Sequence, residues 1–444
     1  MGLSGLEIYK LLPKKNCKEC GPPTCLAFAM QLASGKTSLD ACPYVSDEAK
    51  EALDAAAAPP IKLIKVGREP SVLEIGNETE LFRHEKTFYH PTGVAIRVAD
   101  DLSEGELKDR LEAISDLAFE RVGQHYAVDL VALECRSKDP ARFAAAAKAV
   151  ADRSLGLVLI SKDPASMAAA LAAVGKDKPL ICGADGSNYE EMAKLAKEHQ
   201  CPLVVQGEDL GSIAELVKQV ESLGCKDLIL DGTSANTSKT IANLIQFRKL
   251  ALKRRFRPFG YPALAFATEE DPKSQVLQGV SYMAKYGAIV VLDAYRKEEV
   301  LPLLTWRANL YSDPQKPIQV ESKVHAVGDV NGDSPVYLTT NFSLTYYSVE
   351  GEVEASKVPG YILPVNTDGT SVLTAWAAGK LEPEDIAKFM KECKIEEKVN
   401  HRNVIIPGQV AVISGRLQEA SGWNVLVGPR EAAGIPAFAK AHFA

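Results

Sequence analysis

Three observations predict an α/β multidomain chain with a small cysteine-bearing N-terminal module, a central (β/α)8 TIM barrel and a C-terminal Rossmann-like α/β domain. Four cysteines crowd into the first 42 residues. Eight short apolar runs, separated by segments of helical periodicity, recur between residues 93 and 320. After Pro317, three further apolar runs each lead into a glycine-containing junction and then a helix. At 444 residues and 46% hydrophobic content the chain is long enough for about three cores. The expected boundaries are 1–57, a linker or strap at 58–92, the barrel at 93–317 and the last domain at 318–444.

The first module reads as helices at 3–12 and 24–34, with Ser46 as N-cap of a third helix through Ala58. Cys17, Cys20, Cys25 and Cys42 are separated by two, four and sixteen residues. Two close sulfurs and a third on a tight loop can face one centre, which a distant fourth closes. Gly21-Pro22-Pro23 forces the turn between the second and third. Four thiolates suit zinc or an iron–sulfur cluster. Zinc motifs usually pair two CxxC knuckles, and only Cys17/Cys20 form one here. Pro43 directly follows Cys42, a dipeptide common at the last ligand of bacterial cubane clusters. The spacing therefore favours a [4Fe–4S] cluster. A module this small has little core, so ligation is expected to supply much of its stability.

Ala58-Pro59-Pro60 reads as a linker, and residues 61–92 as a short hairpin or an extended strap. The eight barrel runs are 94–98, 128–133, 157–160, 179–182, 203–205, 228–230, 263–267 and 288–292. Helical segments between them include 142–151, 167–174, 213–223 and 238–250. Near-continuous apolar strands fit a parallel sheet buried on both faces. Asp100, Asp101, Glu134, Asp163, Asp185, Glu208, Asp209, Asp231, Glu269 and Asp293 fall at the strand C-termini, where such barrels place their active sites. Capping is the simpler reading for most of these acids. Asp163-Pro164 and Asp271-Pro272 put an acid at the N-cap and proline at the first helical position. Cys135, Cys182, Cys201 and Cys225 read as small buried hydrophobes. With no motif for nucleophilic catalysis or metal ligation, the barrel reads as a scaffold.

In the last domain the runs are 336–338, 361–365, 404–406 and 425–427. The last three lead into Asn366-Thr367-Asp368-Gly369-Thr370-Ser371, Pro407-Gly408-Gln409 and Gly428-Pro429-Arg430-Glu431. Ligands of such sheets bind beyond the strand C-termini. Glycine allows close backbone approach, and helix N-termini offer free N–H groups. Thr370, Ser371 and Thr374 add hydroxyls, as does Thr339-Thr340-Asn341. This polar rim suits a large amide-bearing ligand. No GxGxxG or GxxxxGK[ST] occurs, which argues against nicotinamide and P-loop readings.

Net charge is −7, and the one basic cluster is short (253–257), so nucleic acid is not an expected partner. No run of about 18 uninterrupted apolar residues exists, so no membrane-spanning helix is expected. MGLSGLEIYKLLPKK lacks a signal peptide's apolar core, and a cytoplasmic location is expected. Nine cysteines in a reducing compartment argue for ligands and free thiols.

The cysteine run, the barrel and the α/β tail together resemble the large subunit of the corrinoid/iron–sulfur protein of the acetyl-CoA (Wood–Ljungdahl) pathway. The resemblance covers the whole chain, and the Cys17/Cys20/Cys25/Cys42 spacing is its most specific part. It implies a low-potential [4Fe–4S] cluster on those four residues and a cobamide in the last domain. NTDGTSVLTAWAAGK (366–380) and VLVGPREAAGIPAF (425–438) look like the family's cobamide-binding loops. Contacts are implied around Thr340, Tyr346, Gly369, Thr370, Ser371, Val372, Leu373, Thr374, Gly408 and Ala433. Many corrinoid proteins carry Asp-x-His-x-x-Gly, whose histidine ligates cobalt. Here Lys323-Val324-His325-Ala326-Val327-Gly328 lacks the aspartate and reads as a coincidence. The resemblance thus implies a base-off cobamide with no protein histidine ligand.

It further implies a methyl carrier rather than an enzyme. Cobalt in the Co(I) state takes a methyl group from methyltetrahydrofolate through a separate methyltransferase. It then donates that methyl to the nickel site of acetyl-CoA synthase, and the cluster returns inactive Co(II) to Co(I). The implied partners are a small corrinoid/iron–sulfur subunit in a heterodimer, the methyltetrahydrofolate:corrinoid methyltransferase, acetyl-CoA synthase/CO dehydrogenase and a reductive activator. Rival readings are a pterin-dependent methyltransferase using its own barrel, a plain iron–sulfur electron-transfer subunit and a zinc-structured scaffold.

Overall fold

The structure, a computed structural model, describes residues 5–33, 36–46, 49, 59–121, 124–153 and 155–443. The N-terminal module contains helices α1 (Gly5–Leu11) and α2 (Cys25–Ala33). Its core is Ile8, Leu12, Cys25, Phe28, Ala29, Cys42, Val45 and Ala49, so two of the four spaced cysteines are themselves core residues. The helix expected after Ser46 falls almost wholly on residues outside those described. Next come two short antiparallel strands, β1 (Ile64–Val66) and β2 (Leu73–Ile75). Ile64, Val66 and Ile75 are buried. Backbone bonds from Lys62 to Gly260 (2.8 Å) and from Gly67 to Lys178 (2.9 Å) hold this hairpin against turns that precede barrel strands. It therefore closes the end opposite the strand C-termini.

The first barrel strand, β3 (Gly93–Ala99), leads to α3 (Glu104–Ser115). A hairpin of β4 (Ala118–Arg121) and β5 (Gln124–Ala127) intervenes. The remaining units are β6 (Leu130–Glu134) with α4 (Pro140–Ala151), β7 (Gly156–Ile160) with α5 (Pro164–Val174), β8 (Leu180–Ala184) with α6 (Tyr189–His199) and β9 (Leu203–Val205) with α7 (Leu210–Ser222). They continue with β10 (Leu228–Asp231) and α8 (Thr237–Arg254), β11 (Ala263–Phe266) and α9 (Pro272–Ala284), and β12 (Gly287–Leu292) and α10 (Lys297–Leu310). The eight strands form one closed parallel barrel, in which β12 returns to β3 with Ile289 opposite Gly93. All eight apolar runs became barrel strands. Each is covered by side chains inside and helices outside, so nearly every position is buried. The β4–β5 hairpin was not expected. Its four-residue strands place Phe119 opposite Tyr126.

The C-terminal sheet has five strands: β13 (His325–Val327), β14 (Val336–Thr340), β15 (Gly360–Val365), β16 (Asn403–Ile406) and β17 (Asn424–Val427). Its helices are α11 (Ser343–Ser356), α12 (Val372–Ala377), α13 (Pro383–Glu392), α14 (Ser414–Ser421) and α15 (Ile435–Phe443). The spatial order is β13-β15-β14-β16-β17, with only β13 antiparallel. The four parallel strands thus run 2-1-3-4, a doubly wound order. Val336, Leu338, Leu363, Ile386 and Leu417 pack on the face of α13 and α14. Tyr337, Tyr346, Ile362 and Ile435 pack on the face of α11 and α15. The period-two alternation of a strand explains this division of neighbours between two cores. By compactness the chain divides into one unit of residues 1–81, 89–117 and 128–307 and another of 82–88, 118–127 and 308–444.

Candidate functional site

Two groups of residues stand out, one in the N-terminal module and one at the carboxyl edge of the C-terminal sheet. In the first, Cys25 and Cys42 are buried, whereas Cys17 and Cys20 are half-buried, and all four are free thiols. Asn16 organises the loop. Its side-chain oxygen accepts from the Cys25 N–H (2.8 Å), and its own N–H lies 3.4 Å from the Cys25 Sγ. Lys14, Asn16 and Lys18 all take left-handed backbone conformations. Cys42 follows a 3₁₀ turn capped by Ser38, and its N–H donates to the Leu39 carbonyl. Burial pushes the Cys20 thiol above its ordinary range, and the neighbouring sulfurs of Cys42, Cys17 and Cys25 push the same way. Among the described residues, no three His, Cys, Asp or Glu side chains converge as a single-ion site.

The second group lies where the strand order reverses, between β14 and β16. Connections from these strands leave toward opposite faces and open a crevice at the carboxyl edge. A cavity of about 410 Å³ occupies it. Thr339, Leu344, Ser348, Ser371, Val372, Leu373, Pro407, Gln409, Arg430 and Ala432 are among its walls. The hydroxyls of Tyr337, Thr339 and Thr340 are buried without a hydrogen-bond partner among the described residues. A native buried polar atom is normally satisfied, so three on one strand call for an explanation. Leu344 (69% exposed), Leu373 (48%), Trp376 (44%) and Val412 (72%) present apolar surface on the adjoining connections.

Buried Asn341, just beyond β14, stitches the adjoining loop. Its Oδ1 accepts from the N–H groups of Thr367 (3.0 Å) and Gly369 (3.1 Å), and its Nδ2 donates to Gln319 (3.0 Å). Gly369 has φ +69°, and a Cβ there would lie 2.8 Å from the Gln319 side chain. Ser371, Val372 and Leu373 line the cavity. Thr370 Oγ1 donates to the Thr367 carbonyl (2.7 Å), and Thr374 Oγ1 is 3.0 Å from Ser371 Oγ. Gly408 stands between two wall residues, and Ala433 follows wall residue Ala432. Thr340 is next to Thr339, with its hydroxyl unpartnered. Tyr346 is buried on the α11 face, where its hydroxyl donates to Glu350 (2.9 Å) and its ring lies 4.9 Å from that of His325. His325 Nε2 sits 2.8 Å from the Glu321 carbonyl. Sequence reasoning missed Gln409, Arg430 and the organising role of Asn341. The Thr339-Thr340-Asn341 run was the available signal.

The barrel acids divide into two kinds. Asp163, Asp209 and Asp271 cap the helices that follow them. Others meet partners at the strand ends. Asp293 makes two 2.7 Å bonds to Arg97, and Asp100 accepts from Arg136 N, Ser137 N and Ser137 Oγ. Burial alone would raise the Asp293 carboxyl, but the Arg97 guanidinium outweighs it and holds it below the ordinary range. Burial wins at Asp231, whose carboxyl is pushed up despite donors from Thr233 and Gln206. Cys182, Cys201 and Cys225 are buried, and burial drives the Cys201 thiol up to about 12. Among the described residues no helix is long and apolar enough to cross a membrane.

The sequence profile of a family described as the CO dehydrogenase/acetyl-CoA synthase delta subunit matches residues 63–439. A profile for an Fe–S cluster matches residues 12–44, which include all four spaced cysteines. The chain is 57% identical over 445 residues to the corrinoid/iron-sulfur protein large subunit of Moorella thermoacetica, with 100% of each chain covered. It is 38% identical over 449 residues to the acetyl-CoA decarbonylase/synthase complex subunit gamma of Methanothermobacter thermautotrophicus, with 98% of each covered. Among solved structures, dihydropteroate synthase from Thermus thermophilus covers 55% of this chain and 99% of its own at 15% identity and a TM-score of 0.40.

Proposed function

The chain belongs to the family of corrinoid/iron–sulfur protein large subunits and acetyl-CoA decarbonylase/synthase gamma subunits, and on that premise we propose that it carries a methyl group on a base-off cobamide. The carrying observation is the pair of unpartnered hydroxyls on Tyr337 and Thr339, two β14 residues that line the crevice cavity. A ring fringed with amides supplies the donors and acceptors they lack. A cavity of about 410 Å³ is too small for a whole corrinoid. It suits one arm, such as the displaced base. Leu344, Leu373, Trp376 and Val412 would then cover the ring's apolar surface. A bound cobamide would supply methyl-transfer chemistry at its cobalt, between a methylated pterin on a separate methyltransferase and nickel on acetyl-CoA synthase.

The chain's own residues bind, orient and insulate. Asn341 fixes the 366–370 loop against β14, so that Ser371 and Leu373 are presented at the wall without rearrangement. The Ser371–Thr374 hydroxyl pair can hold a water, but neither group is a strong metal ligand. His325 is on the antiparallel edge strand and engaged with its own segment. That supports a cobalt without a histidine from this chain. Cys17, Cys20, Cys25 and Cys42 would hold a [4Fe–4S] cluster that supplies single electrons at low potential.

In this reading the protein is a carrier, not an enzyme. It works in the cytoplasm with a small partner subunit, a methyltransferase, acetyl-CoA synthase/CO dehydrogenase and a reductive activator. A methyltransferase reading would need a free pterin pocket in the barrel. Two of the strand-end acids, Asp293 and Asp231, are instead engaged by Arg97 and Gln206. Purification without oxygen, a visible spectrum and assays for iron, cobalt and zinc test the proposal. About four irons per chain and stoichiometric cobalt after cobamide addition are expected. Cobamide that fails to bind even with the small subunit present overturns it. Methyl transfer from methyl-pterin by this chain alone revives the enzyme reading.

A further inference from the structure

We infer that the hydroxyls of Tyr337 and Thr339 hold the cobamide's lower base away from cobalt, by donating to the base nitrogen that would otherwise ligate the metal. The inference rests on the cofactor reading above. The first ground is placement. Tyr337 and Thr339 are two residues apart on β14, so both project to the same face of the sheet, and both line the crevice cavity. They are 3% and 1% exposed, and neither hydroxyl has a hydrogen-bond partner among the described residues. Thr340 projects to the opposite face, so its hydroxyl takes no part.

The second ground is what surrounds these hydroxyls. Val349, Ile405 and Ile435 line the same cavity, and their side chains offer no acceptor. Ser348 Oγ is already committed to the Leu344 carbonyl at 2.7 Å. Gln409, Arg430 and Glu431 belong to the connections beyond the ends of β16 and β17. Burial pushes the Tyr337 hydroxyl up to about 12, so it keeps its proton and remains a donor. The cavity therefore combines apolar walls with two buried donors that lack an acceptor.

An azole base matches that combination. One of its ring nitrogens is bonded to ribose, and the other has a free lone pair. In the base-on form cobalt takes this lone pair. In the base-off form it is a hydrogen-bond acceptor, and burying it without a donor is unfavourable. The flat ring suits apolar walls, and the nitrogen suits the hydroxyls. The exchange balances: a cobalt–nitrogen bond opens, an O–H···N bond forms, and no proton or electron is transferred. A protein histidine can displace the base by taking its place on the metal. Here His325 Nε2 is 2.8 Å from the Glu321 carbonyl, on an edge strand. The base must then be held from its own end of the arm. The chain should accordingly favour cobamides whose arm ends in an azole over those whose arm ends in a phenol, which has no ring nitrogen.

The experiment titrates the full-length chain, with the small subunit added, against two cobamides in the Co(II) state. One has a dimethylbenzimidazole arm and the other a p-cresol arm. The parent is compared with Tyr337→Phe, Thr339→Val and the double variant. Each substitution removes an oxygen that has no partner in the chain, so folding is spared. The parent is expected to bind the benzimidazolyl form at least about fivefold more tightly than the cresolyl form. Its electron paramagnetic resonance spectrum should lack the splitting that a nitrogen on cobalt imposes. The double variant should lose the preference through weaker binding of the benzimidazolyl form alone, and each single variant should lose part of it. Equal affinity of parent and double variant for the benzimidazolyl form overturns the inference and leaves the cofactor reading intact. An equal loss with both cobamides does the same, because it marks a packing role. Nitrogen splitting in the parent also overturns it. A parent that binds neither cobamide overturns the cofactor reading and this inference with it.

Discussion

Asp231 ends a barrel strand, is 7% exposed, and receives hydrogen bonds from Thr233 N (2.8 Å) and Gln206 Nε2 (2.7 Å). Burial exceeds those bonds and raises its pKa. The folded state therefore keeps this proton longer than the unfolded chain. Its contribution is most favourable below the unfolded value of about 3.9. It declines as pH rises through the folded value, then levels off. Asp231→Asn retains an oxygen for Thr233, and the Gln206 amide can turn to accept. Denaturant midpoints at pH 5 and pH 8 are expected to shift in the variant's favour at the higher pH; equal shifts at both would remove the idea. On the cluster proposal, Cys25 would act chiefly through its sulfur. The bond from its N–H to Asn16 Oδ1 survives Cys25→Ala. The variant should therefore lose its iron–sulfur absorbance and its reductive reactivation while binding cobamide as the parent does. Iron assay and cobamide titration read both arms.

Elements are set by local chemistry at their ends. Asp163 accepts from Ala165 N and Ser166 N at the start of α5, with Pro164 in the first turn. Asp163→Ala should cost about 1 kcal/mol in thermal or denaturant unfolding, with iron and cobalt content unchanged. A catalytic acid would instead leave stability nearly unchanged and cost activity. Its bonds to Ser166 hold the Asp163 carboxyl below the ordinary range. That contribution is present above the unfolded pKa and is lost as pH falls through the folded one. At the other end of the chain, the connections after β16 and β17 are fastened together. Gly408 N donates to Pro429 O and Gly428 N donates to Ile406 O, both at 2.9 Å. A Cβ on residue 408 would lie 2.6 Å from the Gly428 carbonyl. Gly408→Ala should part the two connections and weaken cobamide binding by about tenfold, equivalent to about 1.4 kcal/mol. Titration of the variant measures it, and an unchanged affinity would move the binding surface elsewhere.

At the scale of the molecule, the two compact units have separate means of stability. The larger contains the closed barrel, whose strands are buried on both sides. The smaller contains the C-terminal sheet with a core on each face. Scanning calorimetry should resolve separate transitions. A ligand at 100 times its dissociation constant stabilises the unit that binds it by about 2.7 kcal/mol. Cobamide should accordingly raise the transition of the C-terminal unit and leave that of the barrel where it was. A single transition, or a shift of the barrel's, would count against a binding site confined to residues 308–444.

Sequence alone determined the features whose cause is local. The eight barrel strands were legible because parallel strands covered on both faces must be apolar throughout. The close spacing of the four cysteines was visible because it is a property of one short stretch, which an Fe–S profile also matches, and Asp-Pro marked helix starts for the same local reason. The β4–β5 hairpin and edge strand β13 escaped, since strands of three or four half-exposed residues have no periodicity to read. Only the tertiary structure decided that β14 and β16 are neighbours although Thr340 and Asn403 are far apart in sequence. That adjacency opens the crevice, leaves the Thr339 and Thr340 hydroxyls without partners, and turns Tyr346 toward His325 rather than into the cavity. It likewise brought Arg97 to Asp293. Strand order is set by the packing of many distant side chains at once, and no short stretch of sequence contains it.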